Sequence, residues 1–293
     1  MKNKISVLPT KWSVCWAIAI SLGSLCTLRA QTAAWVQVQA DSLFAAGHYA
    51  EAIPLYDRLL FFEPEASHVA QSNLHLAISY FETGQFERAA YYYDAAYFAA
   101  TSDSLQESIL LEKSLSYLLA QHPKEALIEL LSLPETAEPY RRQVFLGLTY
   151  FLLTDYDQAE VAFAAIFPDT CLTSVQEVLD DARRTDRRYR AARAQFLSAL
   201  LPGLGQAYIG DWRSSANSLV INGAFAYLFV ATALNYSWLS AAMSVLPWLQ
   251  RYYIGGIKKV GVLARDRGAN RRQDLYRELV DLLPQLEAAC PRP

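Results

Sequence analysis

The sequence predicts an all-α protein: an N-terminal signal peptide, a helical repeat solenoid, and a C-terminal transmembrane helical hairpin. Three observations carry that prediction. Apolar residues recur at helical spacing from Ala33 to Phe167, in blocks that resemble one another. An uncharged run of 37 residues follows, from Ser214 to Gln250. The charge is also segregated. Residues 1–30 carry 4 basic and no acidic side chains, residues 31–182 carry 6 and 22, and residues 183–293 carry 16 and 7. The net charge of −3 is therefore the sum of three chemically different segments.

The N-terminus reads as an export signal. Lys2, Lys4 and Lys11 precede an uncharged stretch from Trp12 to Leu28, and Ala30 offers a small residue for cleavage before Gln31. An uncleaved signal anchor is the other reading. Cleavage within 1–30 removes Cys15 and Cys26 and leaves Cys171 and Cys290. The spacing does not decide whether those two pair.

The acidic segment, residues 31–170, contains the repeats. One block reads Gly47-His48-Tyr49-Ala50-Glu51-Ala52 and ends at Pro64. The next reads Gly84-Gln85-Phe86-Glu87-Arg88-Ala89. A third block is centred on Tyr117 and Ala126, with Gln121 and Pro123 where the turn glycine is expected. A fourth holds Gly147, Tyr150, Tyr156, Ala159 and Phe163. Aligned on Ala52, Ala89, Ala126 and Ala159, the blocks are 37, 37 and 33 residues apart. This pattern resembles the tetratricopeptide repeat, two antiparallel helices per unit. The resemblance implies that Ala77 and Gly147 on first helices, and Ala52, Ala89, Ala126 and Ala159 on second helices, are small because two backbones pass close together. It places Tyr80, Tyr117 and Tyr150, with Tyr56, Tyr93 and Phe163, in the repeat core. It also implies a concave face that binds a protein or peptide, with the acidic excess favouring a basic partner. Tyr91, Tyr92 and Tyr97 are the candidate groove residues; Tyr93 is better explained as core.

Residues 171–193 read as an acidic-to-basic linker: Asp180 and Asp181 give way to six arginines between Arg183 and Arg193. Residues 194–265 read as a membrane-embedded helical domain. Ala216–Leu234 is one span and Trp238–Ile254 the other, with Asn235-Tyr236-Ser237 as the turn and Trp238, Trp248, Tyr252 and Tyr253 near the ends. Ahead of the hairpin stands Pro202-Gly203-Leu204-Gly205-Gln206-Ala207-Tyr208-Ile209-Gly210. This resembles the P-G-x-G-Q-x-Y-x-G signature of a bacterial two-helix membrane domain of unknown function found in Bacteroidetes envelope proteins, and Tyr252 to Ile257 partly resembles its closing motif. Pro202, Gly203 and Gly205 break the helix and allow close backbone contact, and Gln206 and Tyr208 offer interhelical hydrogen bonds. It is not a phosphate loop, because no lysine follows at the required spacing. Residues 266–293 form an amphipathic tail, with Leu275, Leu279 and Leu282 on one face.

Catalytic patterns are missing. His48, His68, His75 and His122 have no ligand spacing, and the pairs Glu63/Glu65 and Asp180/Asp181 fall in apparent loops. No metal, cofactor, nucleic acid or small-molecule substrate is indicated, and an enzyme is not expected. The expected partners are a protein or peptide on the array and the lipid bilayer. The expected function is a membrane-anchored adaptor or assembly scaffold of the bacterial envelope, at the inner membrane with the array in the periplasm. The alternative is an accessory factor for membrane transport or membrane-protein insertion, in which the Gly-rich hairpin is the active part.

Overall fold

A computed structural model describes residues 32–63 and 68–290. The expected signal peptide and Pro64 lie outside the described residues. Among the described residues there are fourteen helices and no strand. The chain divides into two compact units, one ending at Thr149 and the other beginning at Tyr150.

The first unit is a succession of helix pairs. It contains α1 (Ala33–Ala45), α2 (Tyr49–Phe62), α3 (Val69–Glu82), α4 (Phe86–Ala99), α5 (Asp103–Leu119), α6 (Pro123–Ser132) and the start of α7 (Pro139–Leu152). From α1 to α6 each helix packs on the next in sequence. Ala52, Ala77, Ala89 and Ala126 are fully buried, so at these positions a larger side chain would hold neighbouring helices apart. Tyr56, Tyr80 and Tyr93 fill the same core, while Tyr117 is half-buried. Their phenolic ends are not wasted on apolar surroundings. Tyr56 donates to Asp41 at 2.7 Å and lies 2.9 Å from His75 Nδ1. Burial, reinforced by Asp41, pushes the Tyr56 hydroxyl up, so it stays a donor at every physiological pH. Lys113 is buried between Asp94 and Glu129. Burial alone would lower its pKa, but the two carboxylates outweigh it and leave it raised.

The turn between paired helices explains the period. At Gly47 (φ 76°) and Gly84 (φ 75°) the chain turns left-handed. The following N–H groups, of His48 and Gln85, reach back to the carbonyls of Leu43 and Tyr80 at 2.9 and 2.8 Å. This closes the helix end in the manner of a Schellman turn. The third block makes the same turn without glycine. Gln121 takes φ 63°, and His122 donates to Tyr117 O at 2.8 Å. In the fourth, Thr154 takes φ 62° and Asp155 donates to Tyr150 O at 2.9 Å. A side chain in this region costs about 1 kcal/mol. Gln121→Gly is therefore expected to stabilise the protein by up to about 1 kcal/mol despite glycine's larger unfolded-state entropy, and Gly84→Ala to destabilise it by a similar amount. Thermal midpoints of the two variants check both signs.

The second unit holds the end of α7, then α8 (Tyr156–Ala164), α9 (Asp169–Arg188), α10 (Ala191–Leu200), α11 (Leu204–Tyr208), α12 (Trp212–Asn235), α13 (Trp238–Ser244) and α14 (Leu246–Ala289). The unit boundary therefore falls inside the fourth block, not at 170. Ala159 and Phe163 on α8 are fully buried, and α8 packs against α9. Arg183 ties the two together, bonding Asp157 and Glu160 at 2.8 Å each.

Residues 171–193, expected as a linker, are largely the helix α9. Its buried stripe, Leu172, Val175, Val178, Leu179 and Ala182, packs on α14, which buries Leu275, Leu279, Leu283 and Leu286. The expected tail is thus no separate element but the far half of a 44-residue helix, about 66 Å long. A Cys171–Cys290 disulfide fastens the start of α9 to the residue after α14.

Candidate functional site: the glycine motif and the apolar hairpin

The hairpin begins where expected and differs in its second leg. Helix α12 ends at Asn235, and Ser237 caps α13 by accepting a bond from Ser240 N at 3.1 Å. Only α12, among the described residues, is long and apolar enough to cross a membrane, and only 6% of its apolar window is buried. The expected second span, Trp238–Ile254, is broken at Val245 into the seven-residue α13 and the start of α14. The broken leg is short, and Arg251, Lys258 and Lys259 follow on α14. Within Trp238–Ile254 only Arg251 is charged, so the second leg differs from expectation in being a broken helix rather than a charged one.

The motif segment is a knot of backbone contacts. Gly203 adopts φ 95°, and a Cβ there would stand 2.6 Å from the Ser215 carbonyl oxygen. Gly205 lies against α10 so closely that a Cβ would run into the Ala194 carbonyl and the Ser198 hydroxyl. Its own N–H donates to Ser198 Oγ at 3.2 Å. The same hydroxyl donates to Gln206 Oε1 at 2.9 Å, and Gln206 is buried. Ser198 therefore serves as both acceptor and donor at the crossing of α10 and α11. Tyr208 receives a long bond from Arg193 at 3.5 Å. Pro202 lies beside a cavity between α12 and α14.

Gly210 makes the turn already seen in the repeats. Its φ is 83°, Asp211 N–H donates to Gln206 O at 2.8 Å, and Asp211 then caps α12 by accepting from Ser214 N at 3.1 Å. Arg267, on α14, closes the motif from the far side. It donates to Ile209 O at 2.7 Å and pairs with Asp211 at 3.6 Å. The cap from Ser214 N–H, aided by Arg267, holds the Asp211 carboxyl below the usual range. A carboxyl depressed on folding contributes stability that is present above about pH 4 and lost as pH falls towards its folded value. Asp211→Asn keeps a capping oxygen but loses the charge facing Arg267 and the helix N-terminus, and is expected to cost about 0.5 kcal/mol at pH 7. Stability measured against pH checks this: the difference from wild type shrinks as the pH drops below about 4.

The six motif residues thus sit together. Three residues to which the sequence assigns no role in the motif complete the arrangement: Ser198, Arg193 and Arg267. Ser198 lies one turn-length upstream of the motif, within reach of pattern reading. Arg267 is 58 residues from Ile209 in sequence and leaves no local signal. Gly256, from the closing motif, lies near Ser218 and Gln206, while a Cβ on Gly255 would meet nothing within 4 Å.

In the first unit the tyrosine candidates separate. Tyr91 is 69% exposed. Tyr92 is half-buried, stacks on Tyr80 at 5.3 Å and donates to Asp57 at 3.1 Å. Tyr97 packs half-buried against the core. Exposed apolar residues recur with the repeat period: Tyr91 and Ile128 are 37 residues apart, and so are Phe61 and Phe98. The repeat register, not any single motif, was the signal for them. No group of three or more metal-ligating side chains stands together among the described residues. No protein-family model matches this chain, and no curated protein or solved structure matches it.

Proposed function

We propose that this chain is an envelope adaptor or assembly scaffold: an exported tetratricopeptide-like array that binds a protein, tethered to the inner membrane by a helical hairpin. The observation that carries the reading is the contrast between two apolar surfaces. Helix α12 leaves almost all of its apolar window unburied, which a bilayer accounts for. The array exposes apolar side chains one repeat apart, Tyr91 with Ile128 and Phe61 with Phe98, which a partner laid along successive repeats accounts for. The acidic balance of residues 31–182 favours a basic partner. The disulfide supports an oxidising compartment for Cys171 and Cys290 alike, and hence a periplasmic array with both flanks of the hairpin on its side.

A photo-crosslinking residue placed at Tyr91 tests the adaptor reading in intact cells. The expected result is one discrete protein adduct, reproduced from Ile128 one repeat further on. Absent or diffuse adducts at both positions would contradict it. The second reading, an accessory factor for membrane transport or insertion with the hairpin as its active part, draws on the cavity beside Pro202. Replacing residues 194–265 by an unrelated anchor separates the two: retained adducts and retained cellular function exclude an active hairpin.

A further inference from the structure

Helix α14 runs back along α12, and two contacts fix their relative level. A Cβ on Gly256 would stand 3.6 Å from Ser218 Oγ, and the rings of Tyr252 and Phe225 stack at 5.2 Å. Arg251 is therefore level with the middle of α12. Phe225 stands ten residues before Asn235 and thirteen after Trp212, about 15 and 20 Å from the two ends. Lys258 and Lys259 lie within about two turns of the level of Trp212, where a long side chain carries its charge to the interface. Arg251 is near neither end. It is exposed, and no described residue bonds to it or pairs with it. Residues 212–265 contain no aspartate or glutamate. The apolar hairpin thus holds no counter-charge of its own, and a second copy would bring none. Arg251 also belongs to an open stripe. Trp248, Arg251, Gly255, Lys258 and Val262 follow one another at intervals of three or four residues on one face of α14, and all are exposed. Nothing lies within 4 Å of where a Cβ on Gly255 would stand. A glycine one turn from the charge lets a second helix backbone come close.

We propose that this stripe docks a transmembrane helix of another membrane protein, and that an aspartate or glutamate at mid-bilayer depth on that helix pairs with Arg251. The inference rests on the membrane reading of α12, since in water an exposed arginine needs no partner. In a bilayer, a cation at this depth is costly unless a carboxylate meets it. An arginine–carboxylate pair is also bidentate, so it fixes the depth and rotation of the incoming helix as well as its charge. This site lies inside the bilayer and is separate from the one on the array.

A photo-crosslinking residue in place of Trp248, in the full chain and in intact cells, tests this. The expected result is one discrete protein adduct whose sequence, read by mass spectrometry, carries a carboxylate inside a transmembrane segment. Arg251→Leu is expected to lower the adduct yield about tenfold, and Arg251→Lys much less. Arg251→Glu is expected to abolish the adduct, and exchanging the partner's carboxylate for arginine to restore it. Restoration by charge exchange tells pairing from mere proximity. Gly255→Leu keeps the charge and projects into open space; it is expected to lose the adduct while keeping the Cys171–Cys290 bond. Adducts with lipid alone, with a second copy of this chain, or with a helix that carries no acid would overturn the proposal. So would a yield that Arg251→Leu leaves unchanged, or no adduct at all. Alkaline carbonate washing of membranes keeps the two claims apart. Protein that stays with the membrane yet gives no adduct contradicts the docking site alone, whereas protein released by carbonate contradicts the membrane reading.

Discussion

Reduction of Cys171–Cys290 is expected to lower the stability of the second unit by about 3–5 kcal/mol. The bond spans 119 residues of sequence, so opening it releases a large closed loop into the unfolded ensemble. It also frees the end of a long helix, α14, whose last turns are held by Leu283 and Leu286 against α9. Arg272–Asp186 at 2.6 Å and Arg271–Asp181 at 3.9 Å reinforce the same pair of helices further along. These ion pairs are partly exposed and worth far less than the covalent link. The measurement is the thermal midpoint with and without reductant, repeated on the double variant Cys171→Ser/Cys290→Ser, which should show no further response to reductant. An unchanged midpoint, or two free thiols in protein isolated without reductant, would contradict the expectation.

Gly205→Ala is expected to cost about 2–3 kcal/mol, and Gly205→Val more. A single methyl group at this position meets the Ala194 carbonyl, which is backbone and cannot swing away, and the Ser198 hydroxyl. Relief requires α10 and α11 to separate. That would break the Ser198–Gln206 bond and leave Gln206 buried without its partner. Gly255→Ala is the matched control, because its added methyl meets nothing within 4 Å. It should be neutral or slightly stabilising through helix propensity. Denaturation midpoints in one detergent compare the pair directly. Equal effects at the two glycines would mean that the motif's glycines are not packing elements.

The helix pairs of residues 33–164 were legible because their spacing is set by a local event, the left-handed turn closing the first helix of each pair. The alanines at Ala52, Ala89 and Ala126 report the same period from the packing side. Residue identity left the geometry of the third turn open and hid the fourth. Gln121 and Thr154 adopt the conformation that glycine adopts elsewhere, and a glycine pattern does not find them. In residues 171–193 the arginine run drew the eye from a weaker but decisive signal: Leu172, Val175, Val178, Leu179 and Ala182 keep helical spacing into the run. The second membrane leg is a broken rather than a continuous helix for a different reason. Counting apolar residues from Trp238 gives enough length, but the break at Val245 and the cation at Arg251 interrupt it. The glycine motif announced itself by composition. Its bonds to Ser198 and Arg267 are tertiary, and only the fold brings them to the motif.

If the hairpin tethers the chain as proposed, the array and the C-terminus share one oxidising compartment and the tip of the hairpin lies across the membrane. Fusions of a periplasm-active phosphatase and a cytoplasm-fluorescent reporter after residues 182, 236 and 293 test it most directly. The account predicts phosphatase activity at 182 and 293 and fluorescence at 236. Phosphatase activity at 182 with fluorescence at 293 would contradict it, and would leave Cys171 and Cys290 on opposite sides of the membrane.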